Sequence, residues 1–228
     1  MRRVFSLTAL LLVLALTAGG CSSPDEASDS PFVRDVPAAL QSDIDKRSQN
    51  LSETGPLSEP EKEELRQTVA GIKLKYPATN KTTLKEDIRK HGLTSIVVLG
   101  ELLTTADPEM RIKAIKASYR LIRPSMEFTA DYLDNGEPLL AALFHRSLVA
   151  DKDPHVRSHA ISGLVFIGQS HQWRPRSEPV PAYVKHALDA GMSDPNAKVR
   201  DRVLRARKKL GIAAPGDPEP DTGGAIID

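Results

Sequence analysis

Cysteine is nearly absent from this chain: among 228 residues there is one, Cys21. No intramolecular disulfide framework can form, so stability rests on apolar packing. Aromatic residues make up 4% of the sequence, with a single tryptophan, Trp173. Leu, Ala, Ile and Val therefore supply most of the apolar surface, which suits packed helices better than a sandwich of aromatic and β-branched strands. Excess charge is lacking too. The formal value of +1 falls to −1 without Arg2 and Arg3, which gives no overall steering toward nucleic acid. The longest apolar stretch, Val4 to Ala18, is shorter than the ~20 residues a membrane-spanning helix needs.

The motifs of several chemistries are missing as well. There is no G-x-x-x-x-G-K-[ST] phosphate loop, no H-E-x-x-H zinc helix and no G-x-S-x-G nucleophile elbow. His155 and His159 stand four residues apart, a spacing that offers two imidazoles on one helix face. No third ligand accompanies them, and a metal site needs three or four, so they read as a solvated polar face. No cofactor is implied, and the chain is expected not to be an enzyme.

What is present begins at the start of the sequence. Basic Arg2 and Arg3, the apolar run and small Gly19 and Gly20 before Cys21 form the pattern of an export signal over residues 1–21. The segment Leu16-Thr17-Ala18-Gly19-Gly20-Cys21-Ser22-Ser23 resembles a bacterial lipoprotein signal, with Ala18 where that family prefers Leu. The resemblance implies a diacylglycerol on Cys21, anchorage to a lipid bilayer and a place in the cell envelope. Ser22 and Ser23 lack the Asp associated with retention in the inner membrane. The expected destination is therefore the outer membrane, facing the periplasm, and otherwise the outer face of the cytoplasmic membrane.

Residues 22–57 are rich in Ser, Asp and Pro and read as a flexible tether. Leu40, Ile44 and Leu51 after Pro37 mark one short helix inside it. Order is expected from Ser58, where Ser58-Glu59-Pro60-Glu61 has the spacing of a capping box. Leu65, Val69 and Ile72 follow at helical spacing, with Pro77 as the stop. A second box at Thr83 to Glu86 opens a short helix that Gly92 closes.

From there the chain repeats. Asp107-Pro108-Glu109-Met110-Arg111 is echoed by Asp153-Pro154-His155-Val156-Arg157, and again by Asp194-Pro195-Asn196-Ala197-Lys198-Val199-Arg200. Each copy follows one apolar helix and begins another, giving helix pairs at about 92–122, 137–168 and 180–211. Asp is a strong N-cap and Pro suits the first helical position. The bases Arg111, Arg157 and Lys198 lie four residues beyond each Asp, where side chains on a helix meet. In the third copy Val199-Arg200 falls two positions late, so its loop is longer or its cap is reassigned. Helix ends are read at Ile122, Gly168 and Gly211.

Val156-Arg157-Ser158-His159-Ala160 through Leu164 and Gly168 resembles a HEAT-like repeat of the phycobilisome-lyase type, as does Val199-Arg200 through Leu210-Gly211. The resemblance spans about residues 92–211. It implies an all-α fold, a short α-solenoid over 58–211, in which Asp107, Arg111, Asp153, Arg157, Asp194 and Arg200 are structural corners. It carries no lyase chemistry to this chain. Members of the family mostly bind other macromolecules, so a membrane-anchored protein-binding scaffold is expected. The alternative is a non-catalytic subunit of an envelope enzyme or transport complex.

Two further stretches bear on partners. Trp173 and Arg174 sit in an insertion with Pro175, Pro179 and Pro181. They are either a contact for a protein partner, since both residue types are over-represented at interfaces, or a cover for the seam between the second and third pairs. The basic run Lys198 to Lys209 reads as a soluble terminal cap, and no nucleic-acid partner is expected of an exported protein. Residues 212–228, rich in Gly, Pro and Asp, are expected to be a disordered tail.

Overall fold

The computed structural model describes residues 36–74, 92–122, 132–172 and 179–220. Among them the fold is all-α: helices α1 (Ala38–Thr54), α2 (Glu59–Ala70), α3 (Ser95–Leu102), α4 (Pro108–Ile122), α5 (Glu137–Ala150), α6 (Pro154–Gln172), α7 (Ala182–Gly191) and α8 (Ala197–Lys209), with a π-helical turn Tyr132–Gly136 before α5. The second capping box, the insertion residues Trp173 and Arg174, and Cys21 with its leader lie outside the described residues.

Local sequence sets the helix starts. Glu61 Oε2 lies 2.8 Å from the Ser58 N–H and 2.6 Å from its hydroxyl, which holds the first turn of α2. Asp107 Oδ1 accepts from the Glu109 N–H at 2.9 Å, and Asp153 Oδ1 from the His155 N–H at 2.7 Å. Both aspartates thus satisfy donors that the first helical turn leaves open. In the third corner the cap is reassigned: Asn196 Oδ1 accepts from Lys198 and Val199 N–H at 3.0 and 3.2 Å. Gly211 ends α8 with φ 68, and Ile212 N–H reaches back to the Arg207 carbonyl at 3.0 Å. That is the left-handed glycine stop helices favour.

The helices α3, α5 and α7 each lead through a tight corner into α4, α6 and α8. Packing then runs sideways as well: α6 lies against α4 and α8, and α5 lies against α7. One continuous core results, with Ile96, Leu99, Ile115, Leu139, Phe144, Leu164, Val184 and Val203 at or near zero exposure.

Two expectations are corrected. Residues 38–54 do not belong to a tether. Helix α1 packs on α3 and α5, burying Ile44 and Leu51 at 4% and 1% exposure. Three sparse apolar residues suffice because α5, apolar on nearly every face, needs a cover. Gly168 does not end a helix either, since α6 runs on to Gln172. A Cβ at Gly168 would lie 2.8 Å from a Leu210 methyl, so this glycine admits the end of α8 against α6.

The described part of the tail, residues 212–220, contains no helix but is held in place. Asp217 Oδ2 accepts from Arg207 Nε at 3.0 Å and from the Ala214 N–H at 2.9 Å.

Candidate functional site: the corner ladder and an adjoining groove

The corners are joined by arginine forks. Arg111 places Nε and Nη2 on the two carboxylate oxygens of Asp151, at 2.7 and 2.9 Å. Its Nη1 donates to the carbonyls of Thr105 and Ala106 at 2.7 and 3.0 Å. One helix pair later, Arg157 grips Asp194 at 2.7 and 3.0 Å and donates to the carbonyls of Asp151 and Lys152 at 2.9 and 3.2 Å. Each arginine closes its own corner and holds the next. The side chains of Arg157 and Asp194 are 3% and 2% exposed, so water does not compete for these bonds.

This pairing differs from the i, i+4 partners that the spacing predicts. Asp107 and Asp153 cap their helices, while each fork crosses to an acid 40 or 37 residues further on. Lys198 is exposed, and Arg200 takes the place of Arg111 and Arg157, donating through Nη1 to the carbonyls of Asp194 and Pro195 at 2.6 and 2.8 Å. Asp151, an acid outside every Asp-Pro corner, is a fork acceptor. Alignment on the arginines reveals it, because Thr105, Asp151 and Asp194 then fall in one register.

The basic run of α8 is largely neutralised by the chain itself. Arg205 pairs with Asp201 at 2.9 Å, Lys208 with Glu219 at 2.8 Å, and Arg207 with both Asp189 and Asp217. Arg202 donates to the Ser162 hydroxyl at 2.7 Å.

Between α1 and the α5–α7 pair lies an open groove of about 310 Å³, lined by Leu40, Arg47, His145, Tyr183 and His186 among others. The His145 and His186 rings meet edge to face at 5.4 Å. Behind the groove, buried Glu137 accepts from the Tyr183 hydroxyl at 2.7 Å and shares a 2.5 Å hydrogen bond with His171 Nε2. The three residues tie together the start of α5, the end of α6 and the start of α7. No sequence motif announces this cluster, because its members are far apart in the chain.

His155 and His159 are not brought together as ligands. His155 is exposed, whereas burial, with the charges of Lys116, Arg202 and His155, pushes His159 down to about 4. Among the described residues no group of three or more His, Cys, Asp or Glu is placed to hold a metal. His145 is likewise pushed down to about 4, by burial first and then by His186. Because both imidazoles are neutral in the fold and would charge more readily when unfolded, stability is present above pH ~6.5 and falls as the pH drops toward 4. Denaturant midpoints between pH 7 and 4 should show this decline. His159→Gln should flatten it, and an unchanged slope would remove His159 as a cause.

No protein-family model matches the chain, and no curated protein or solved structure is similar to it at a significant level.

Proposed function

We propose that this chain is a lipid-anchored envelope protein whose helix pairs stack as a short α-solenoid and serve as a non-catalytic, protein-binding scaffold. The observation that carries this reading is the repeated fork. Arg111 and Arg157 make the same bonds one pair apart, and a residue that recurs in the same local place holds repeats together rather than performing one reaction. Arg200, a further 43 positions on from Arg157, repeats the carbonyl half of the device in the third pair. The resemblance of Val156 to Gly168 to HEAT-like repeats supports the stacking. Cys21 in its signal-like setting supports the anchor, with the lipid bilayer as one partner and an envelope protein as the other.

Membrane fractionation tests the anchor. The wild type should sediment with membranes, and Cys21→Ala should move to the soluble fraction. A variant that stays wholly with membranes would remove lipidation from the proposal. Cross-linking and recovery of the full chain tests the scaffold, with loss of a partner expected in Trp173→Ala. An unchanged partner set would take Trp173 and Arg174 out of the contact.

A further inference from the structure

The fork ladder is closed at one end and open at the other. At the first corner the acceptor position holds Thr105, whose hydroxyl donates to its own Leu102 carbonyl at 3.0 Å. At the last corner Arg200 repeats the two carbonyl bonds of its predecessors. Its Nε and Nη2, which in Arg111 and Arg157 hold a carboxylate, meet no acceptor among the described residues. The same register aligns Ile161, 1% exposed, with Leu204, which is only half buried and stands outside the core. It also aligns Leu164 with Arg207, and that position is covered by Asp217 of the tail. Among the described residues the end face of α8 is therefore covered along its C-terminal half and open at Arg200 and Leu204.

We propose that this open end docks a partner protein through a carboxylate that enters the Arg200 fork, with an aliphatic side chain beside it on Leu204. The inference rests on the stacked-pair reading. Its occupant is set by chemistry: a planar guanidinium with two parallel N–H groups matches an Asp or Glu side chain bidentately. A second copy stacked head to tail is disfavoured, because α2 already packs on the α3–α4 pair at that end and the corner there carries Thr105 where the fork needs a carboxylate.

The probe is a peptide of residues 182–196 of this chain, whose Asp194 is the natural acceptor of the preceding fork, labelled and titrated with the full chain by fluorescence anisotropy. Binding should weaken at least tenfold for the peptide carrying Asp194→Asn, for the Arg200→Lys chain, and for the Leu204→Asp chain. Circular dichroism checks that both variants keep the helical fold. Absence of binding to the wild type, or binding indifferent to Arg200→Lys, overturns the docking site. Sedimentation should give a monomer, and a dimer abolished by Arg200→Lys would replace the foreign partner with a second copy. Loss of stability in Arg157→Ala together with no peptide binding would leave the stacked-pair reading standing and sink only the docking.

Discussion

Arg157→Ala should lower the unfolding free energy by about 3–5 kcal/mol, the usual cost of removing one partner from a buried ion pair. The loss is large because it is not confined to the pair. The Asp194 carboxylate, 2% exposed, would be left in the core with the Asn196 N–H at 2.8 Å as its one remaining donor among the described residues, and the carbonyls of Asp151 and Lys152 would lose a donor. A buried ion pair is not by itself stabilising relative to apolar residues of the same volume. Replacing both members, as in Arg157→Met with Asp194→Leu, should therefore restore part of the loss. The comparison with Arg200→Ala is the sharper control, since that fork ends in no acid and its removal should cost about 1 kcal/mol or less. Urea denaturation of the four proteins measures this. Equal losses at positions 157 and 200 would show that the fork does not join the pairs.

Phe144→Ala should cost a similar amount, about 3–5 kcal/mol. The ring is fully buried and lies edge-on to Tyr119 with centroids 6.1 Å apart. What makes the site diagnostic is Gly163 on α6. A Cβ there would come within 2.5 Å of the Phe144 ring. In an ordinary helix, Gly to Ala gains about 1 kcal/mol. Here Gly163→Ala should instead lose about 1–3 kcal/mol, because the ring has no room to retreat. Combining Gly163→Ala with Phe144→Leu should cost clearly less than the two separate losses added, as contacting residues do not behave independently. Additive losses would mean that the helices do not meet at this point.

Local features were legible in the sequence. The Asp-Pro corners, the box at Ser58 and the stop at Gly211 depend on bonds within a few residues, so spacing and residue type suffice. The fork partners were not legible in the same way. An i, i+4 spacing puts Arg157 within reach of Asp153, yet the pleated path of the next corner brings Asp194 to it across 37 residues. Only packing between pairs decides that. Gly168 failed for a related reason: glycine both ends helices and admits close neighbours, and the neighbour here, Leu210, lies 42 positions away in the sequence. Helix α1 is hard to read as core because charged Asp43, Asp45, Lys46, Arg47 and Glu53 outnumber its three large apolar residues, Leu40, Ile44 and Leu51. Its place in the core comes from the apolar surface of α5. Glu137, His171 and Tyr183 had no sequence signature, since each is an ordinary residue until the three helix ends converge.

The packing of α1 sets how short a leash the proposed anchor would have. Under the proposed anchor at Cys21, only residues 22–37 separate the acylated position from the first turn of α1. Sixteen residues span at most about 55–60 Å when drawn straight, and about 20–24 Å as a random coil. That is less than half the number of residues that a start at Ser58 would give, so a domain anchored in this way would work close to the headgroups. Pro37, where the leash joins the fold, also lines the groove beside His186. Under the proposed anchor the mouth of that groove would lie next to the point of attachment, whereas Arg200 and Leu204 belong to the last helix.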